Sequence, residues 1–441
     1  MDEATQSRLL ERIAEHLAAD GATTTDAAET TLSVDPSIYT DRDRWERERA
    51  LLGNALTAVG LSSLLPGPET FAAVDVGDVP VVLTRDSDGA LHASLNVCRH
   101  RGATVAHGCG SARRLICSYH GWTYRLDGAA GQRRGAEYFD GDAEGLVALP
   151  VTERDGVIWV SGDPSVVIPD DPAEGAGAEL GPLDLAGHRL FASTRFVRPM
   201  NWKLAVETFA ESFHVAVLHR DTLAPMIRSD ATLSDTFGRH GRMVVPRRGI
   251  EEVTEGASLL PHATILWFLV PGTVLIHQQD HVQLYRSRPG AHPGECVLDV
   301  ALYVPTDSPR SEDHWKRNFD LLVEVTDTED FSTAAGIQLS ASSGRAPTQI
   351  VGRNEPSLQH LHRYSTGTAD ARLASGRPRG DHLGGIATRA IGRRRTDRRG
   401  GGGRSGQLRG QPRGWRDVSD HPAVSLHPRT RGARPGDHDR E

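Results

Sequence analysis

The sequence is poor in lysine. Only Lys203 and Lys316 occur in 441 residues, so nearly all of its positive charge is arginine. That bias reads as GC-rich coding DNA and excludes no function. Cysteine is scarce too: Cys98, Cys109, Cys117 and Cys296 are the whole set. Four cysteines could staple a small secreted domain, but in a chain this long they read as metal ligands or inert thiols. There is no unbroken apolar run long enough to span a bilayer, so no membrane partner is expected. The opening segment MDEATQSRLLERIAEHLAAD has no basic-then-apolar start, which predicts a cytoplasmic chain without a secretory signal. Positive charge is in excess only at the end. Residues 371–441 carry 17 Arg against 7 Asp and Glu, and residues 1–370 balance to −18. An acidic body without a basic, aromatic stripe argues against nucleic acid as a partner.

What remains is ample for two domains and a sizeable core. Residues 4–19 place Leu9, Leu10, Ile13 and Leu17 at helical spacing, and 41–52 suggests a second, charged helix. From about 70 to 165 the pattern changes to short β segments such as FAAVDV, VPVVLTR, ALHASLNV and GVIWVSG. PDDPAEGAGAELGP (169–182) reads as a linker. A helix is expected over Asn201–Leu218, then two or three strands (ATILWFLV, TVLIHQQD with HVQLYRS, CVLDVALYVP), then a long helix over Trp315–Leu339. A sheet covered by a long C-terminal helix is an α+β layer arrangement. Beyond about Thr368 apolar periodicity gives way to Arg, Gly and Pro, which reads as a disordered tail or an out-of-frame translation.

The strongest local signal is Cys98-Arg-His100, sixteen residues, then Cys117-Ser-Tyr-His120. Thiolate and imidazole suit both zinc and iron–sulfur sites. Spacing alone leaves open a Cys₂His₂ zinc site, or a [2Fe–2S] centre with two Cys on one iron and two His on the other. The flanks NVCRHRGA and ICSYHGWTY resemble the two cluster-binding loops of Rieske domains in ring-hydroxylating oxygenases. Gly102 and Gly121 permit tight turns beside the ligands, and Trp122 and Tyr124 can shield a cluster from water. Ser118 stands where the family usually has proline. Ala103 and Tyr119 occupy the places of the inter-loop disulfide of respiratory Rieske proteins, so that bridge cannot form. Cys109 and Cys296 lie outside the pattern.

The second constellation is NWKLAVETFAESFHVAVLH, residues 201–219, with Glu207, Glu211, His214 and His219. Two imidazoles and a carboxylate on one face of an iron leave positions open for O₂ and substrate. His214 and His219 lie about 140° apart on a regular helix, so sharing one metal requires a break, expected near 215–218. A third ligand should come from the acids Glu324, Asp327, Glu329 and Asp330, among which spacing cannot choose. Such a run is ordinarily a solvated helix face. Glu207 could equally brace the site from outside, and His277 and His281 read as pocket or surface histidines. Phe209, Leu218 and Trp267 are pocket candidates.

The 201–219 motif closely resembles that of Rieske oxygenase α subunits. The resemblance covers roughly residues 38–365. It implies that His214 and His219 ligate iron, that a Glu-Asp pair followed by Gln338 makes Asp330 the third ligand, and that Glu211 bridges to His120 of a neighbouring subunit. Glutamate at that bridge is more like the branch with choline, carnitine and betaine oxygenases. The implied fold class is α+β: an N-terminal helical arm (1–37), an all-β Rieske [2Fe–2S] domain (38–168), then a helix-grip catalytic domain (169–370) with an antiparallel sheet and a long C-terminal helix. The implied function is a terminal oxygenase that uses O₂ and NAD(P)H-derived electrons, delivered by a reductase or ferredoxin, to hydroxylate, dihydroxylate or demethylate a small organic substrate. Its cofactors would be a Rieske cluster bound by Cys98, His100, Cys117 and His120, and a mononuclear Fe(II). A homotrimer or trimer of dimers is implied. The alternatives are a Rieske electron carrier, which the second motif speaks against, and a zinc-stabilised protein without catalysis.

Overall fold

The computed structural model describes residues 1–19, 25–254 and 256–364; the arginine-rich tail expected over 371–441 lies outside them. Strand Thr70–Val76 pairs with Val79–Arg85 and with Cys109–Ser111, and Val79–Arg85 pairs onward with Leu91–Leu95, giving a four-stranded antiparallel sheet. Successive side chains of Val79–Arg85 point to opposite faces. Val81 and Leu83 join an inner core with Ile158 and Val160, while Val82 joins the core beneath the loops that hold Cys98 and Cys117. The small β domain thus carries its two loops on one face of a packed sheet. A three-stranded sheet, Thr57–Leu61, Val157–Val160 and Val151–Arg154, completes it. Val157 and Trp159 face the other way and pack into the larger domain, so this strand is buried on both faces.

The larger domain is built on a seven-stranded antiparallel sheet. Its order is His188–Arg198, Cys296–Pro305, Val282–Pro289, Thr273–His277, Ala263–Leu269, His240–Pro246 and Leu233–Phe237. Central strand Ala263–Leu269 is buried along its whole length, which is why ATILWFL reads as an unbroken apolar run. One face of the sheet (Met243, Val245, Leu266, Phe268, Val274, Ile276, Tyr285) packs under helices Trp202–Glu207 and Phe331–Ser342. The other face (Val244, Ile265, Trp267, Leu275, Leu284) packs against Leu9 and Ile13 of helix Glu3–Ala18. Trp267 is therefore on the face away from the second motif and is not a pocket residue. Residues 169–182 contribute Ala173, Ala176 and Leu180 to that same core.

The architecture is the expected β domain followed by an α+β domain with an antiparallel sheet under a C-terminal helix. Three expectations are corrected in detail. The sheet has seven strands, because His188–Arg198, Leu233–Phe237 and His240–Pro246 were not anticipated. The helix over 201–218 ends at Glu207 and resumes only as a 3₁₀ turn, Phe213–Ala216. The long helix is two, Glu312–Glu324 and Phe331–Ser342, joined by a π-helical segment, Val325–Asp330. Leu32–Val34 pairs with Gln349–Val351 and ties the N-terminal arm to the segment that follows helix Phe331–Ser342. No helix among the described residues is long and apolar enough to cross a membrane.

Two histidines on the face away from the site carry a pH signature. His240 Nε2 donates to the Pro172 carbonyl at 3.1 Å, while its Nδ1 accepts the Val270 N–H at 3.0 Å, which fixes the neutral ring. His277 is buried with His188, His281 and Asp280 nearby, and its Nδ1 has no hydrogen-bond partner among the described residues. Burial pushes both pKa values down to about 4; beside His240, Arg239 lowers it further while Glu174 and Asp171 oppose. Unfolding releases each to about 6.5, so the unfolded chain takes up protons that the folded chain refuses. Stability should be full above pH 6.5 and fall as pH drops towards 4, by roughly 2 kcal/mol per histidine at pH 5. Urea midpoints at pH 7.5 and pH 5 check this: His277→Gln should lose less stability across that interval than the parent chain. An equal loss would show that His277 is not one of the groups responsible.

Candidate metal centres

The two loops of the β domain repeat one backbone pattern. The Cys98 N–H donates to the Ala103 carbonyl at 2.8 Å and the Gly102 N–H donates back to the Cys98 carbonyl at 2.9 Å. Cys117 and Trp122 repeat the first bond at 2.8 Å, and Gly121 and Cys117 the second at 3.0 Å. Each turn closes through a residue at positive φ, Gly102 at 75° and Gly121 at 73°, where a side chain would be strained. Ser118 leaves this pattern intact. The turns bury both thiols and bring His100 Nδ1 within 3.1 Å of His120 Nδ1. Two bare ring nitrogens at that distance repel unless a proton or a shared metal sits between them. Desolvation, then electrostatic repulsion from His100, Arg101 and Arg134, lowers the His120 pKa and favours the neutral ring that ligates metal.

This donor set tests the two readings that spacing left open. Among the described residues, no thiol joins the two imidazole nitrogens within 4.8 Å, the compass of a single ion's donors. A set in which no thiol comes that close to both imidazoles suits a two-iron cluster better than one tetrahedral zinc. Trp122 stacks on His100 with ring centroids 4.8 Å apart, and the Tyr124 hydroxyl lies 3.2 Å from Cys98 Sγ and accepts the Arg99 N–H at 2.9 Å. Phe139, which the sequence did not single out, stands edge-on to both His100 and Trp122.

The second constellation converges 100 residues further on. The break after Glu207 and the short 3₁₀ turn bring the rings of His214 and His219 to a centroid separation of 5.0 Å. From the C-terminal helix pair, Asp330 Oδ1 reaches His219 Nε2 at 3.1 Å and His214 Nε2 at 3.7 Å. These three are the only His, Cys, Asp or Glu group among the described residues with donor atoms within 4.8 Å of one another. The far ring nitrogens are also held. His214 Nδ1 donates to Glu211, and His219 Nδ1 to Glu329 at 2.5 Å, while Glu329 also accepts the Thr222 hydroxyl at 2.8 Å. With both Nδ1 atoms so engaged, both Nε2 lone pairs face Asp330. Burial alone would lower the His219 pKa, but Asp330 and Glu329 outweigh it and raise it. Two carboxylates thus already prepare this buried ring for a positive charge, and a divalent cation supplies one.

The remaining expected residues lie elsewhere. Asp327 turns away and pairs with Arg198 at 2.5 Å. Glu324 is exposed. Glu207 accepts the Tyr39 hydroxyl at 2.8 Å and faces His362, outside the triad. His277 and His281 do not join it, and neither do Cys109 and Cys296. Phe209 packs on Tyr285, with ring centroids 4.5 Å apart, close enough to the triad for Tyr285 to feel the charge of Asp330. Glu329 is the residue that the sequence argument undervalued. Its signal was adjacency to Asp330, which a regular helix would have turned to a different side.

Comparison with known proteins matches both domains. Residues 55–138 match the Rieske [2Fe-2S] domain family, and residues 185–366 match the ring hydroxylating alpha subunit (catalytic domain) family. The glycine betaine monooxygenase oxygenase subunit of Chromohalobacter salexigens is 35% identical over 178 residues, 40% of this chain and 40% of that protein. The carnitine monooxygenase oxygenase subunit of Escherichia coli K12 is 31% identical over 189 residues, 41% of this chain and 50% of that protein. The matched stretches thus span half or less of these relatives' own length. In fold, a quaternary ammonium Rieske monooxygenase solved with L-carnitine superposes with a TM-score of 0.65 at 20% identity, over 77% of this chain and 96% of that one. Residues 55–138 thus carry a Rieske [2Fe-2S] domain and residues 185–366 a ring-hydroxylating α-subunit catalytic domain, in this order and each with its candidate donor set in place.

Proposed function

We propose that this chain is the terminal oxygenase component of a Rieske non-haem iron oxygenase acting on a small substrate that carries a trimethylammonium group. The observation that carries the proposal is the convergence of His214, His219 and Asp330 with both Nε2 atoms turned to the same carboxylate. In this reading Cys98 and Cys117 hold one iron of the cluster, His100 and His120 the other, and His214, His219 and Asp330 hold the mononuclear iron. When bound, the cluster supplies single-electron transfer and the mononuclear iron supplies open positions for O₂ and substrate. The chain's own part is positional. Glu211 and Glu329 fix the two imidazole tautomers, and Trp122 and Phe139, which pack on His100, would help to shield a bound cluster from water.

Electrons are proposed to come from NAD(P)H through a reductase or ferredoxin in the cytoplasm. Glu211 is proposed to bridge His214 to His120 of a neighbouring copy in a homotrimer or trimer of dimers. Support for that contact is the exposure of Phe213 and Val217 beside His214, and of Tyr119 beside His120, all more than half exposed. The substrate class is supported by the betaine and carnitine names of the matched relatives and by the Phe209–Tyr285 pair, since a quaternary ammonium favours aromatic faces.

The test is O₂ uptake by Fe(II)-loaded protein supplied with NADH and a reductase. Glycine betaine, carnitine and choline are compared with benzoate and anthranilate. Uptake matched by product with a trimethylammonium compound is expected. Uptake with an aromatic acid alone would overturn the substrate class and keep the oxygenase; uptake with none would count against both.

A further inference from the structure

The helix that delivers Asp330 is interrupted where it matters. The six residues Val325–Asp330 wind as a π-helix between two α-helices. Bonding from i to i+5 adds roughly one residue to each turn, so residues three apart open from roughly 60° on an α-helix to roughly 115°. Asp327 and Asp330 are such a pair. Asp330 turns inward to the two histidines, and Asp327 turns to the edge of the sheet. On a regular helix the two carboxylates would point nearly the same way and compete for the same place.

A π segment is rare and needs support from outside. Here the support is specific. Arg198, the last residue of strand His188–Arg198, meets Asp327 Oδ1 through Nε at 2.5 Å. Its own position is set by a bond from Nη1 to the Val197 carbonyl at 2.9 Å and by stacking over Phe196 at 4.7 Å. Phe196 in turn stands edge-on to Phe331, the residue after Asp330, with ring centroids 6.1 Å apart. One arginine therefore holds the wide turn by its outward carboxylate and touches a ring that packs under its inward end.

We propose that Arg198 is a positioning residue for the mononuclear metal site: through Asp327 it holds the π turn in the winding that presents Asp330 to His214 and His219. The inference rests on the reading of those three residues as ligands. It differs from the ordinary role of a partly exposed ion pair, which contributes little to stability and nothing to a site several residues away.

The experiment uses the full chain with its Rieske cluster intact and the mononuclear site emptied, titrated with Co(II) alone by calorimetry. Arg198→Gln and Asp327→Asn are each expected to weaken Co(II) binding by about tenfold or more, with an unchanged Rieske spectrum and a Tm within about 3 °C of the parent. The exchanged pair, Arg198→Asp with Asp327→Arg, should recover affinity to within about threefold. Asp299→Asn, which cuts the neighbouring Arg195–Asp299 pair on the same sheet, should leave affinity unchanged. Affinity within about twofold of the parent in either single variant, an exchanged pair no tighter than the singles, or an equal loss in Asp299→Asn would each overturn the proposal. A parent chain that takes up no Co(II), or His214→Ala that takes it up undiminished, would overturn the ligand reading beneath it.

Discussion

His214→Ala is expected to abolish oxygenation while leaving the Rieske spectrum unchanged. The imidazole is one of three groups whose donor atoms lie within 4.8 Å of one another, and alanine leaves Asp330 and His219 as a bidentate remnant. Altering a residue that merely orients a ligand commonly costs 10- to 100-fold in affinity or activity, so removing a ligand should cost more than about 100-fold. Glu211 would also lose the ring nitrogen it holds. The Rieske loops should not notice. Their thiols sit in a core of Val105, Leu115, Trp122 and Tyr124 that is separate from the core beneath His214. Iron analysis and the reduced-cluster spectrum, measured on one preparation, check both halves. Loss of the cluster together with the mononuclear iron would contradict the two-centre account.

Glu211→Gln is expected to stop electron delivery while both metals can still be loaded, the mononuclear one binding about 10- to 100-fold more weakly because the amide no longer holds the His214 Nδ1–H. Gln keeps an acceptor oxygen for the Phe213 and His214 N–H groups, which Glu211 Oε2 accepts at 2.5 and 3.1 Å, so the turn should survive. What is lost is the charge that faces His214 Nδ1 and, in the proposed assembly, the group that reaches the next copy's His120. Charge-assisted bonds are roughly twice as strong as neutral ones, and the amide is a poorer relay for a proton. A pre-reduced variant given substrate and O₂ should therefore form product at least about 100-fold more slowly in a single turnover, with both metals present. Product at the parent rate would remove Glu211 from the path between the centres.

The sequence revealed most where chemistry is local. Cys98, His100, Cys117 and His120 sit in two short turns whose glycines and flanks are contiguous, so ligand and geometry could be read together. His214 and His219 were legible as a pair, and their five-residue spacing required the helix to break. The break came earlier than that spacing could tell, after Glu207, because Asn201 caps a helix of only six residues. Asp330 was legible only through the family pattern. Four acids share its segment, and the π winding that separates Asp327 from Asp330 is invisible to reasoning at 3.6 residues per turn. Strand His188–Arg198 was missed because its burial is intermediate along most of its length, so it shows no strong alternation. The pairing of Leu32–Val34 with Gln349–Val351 is three residues long and joins segments far apart in the chain, and no local signal encodes such a contact.

The most direct test of the central claim is an EPR spectrum of the purified protein before and after reduction with dithionite, with metal analysis of the same sample. A silent oxidised protein that gives a Rieske-type rhombic signal on reduction, together with about three irons per chain when fully loaded, is the predicted result. Colourless protein that carries zinc and gives no cluster signal would contradict it.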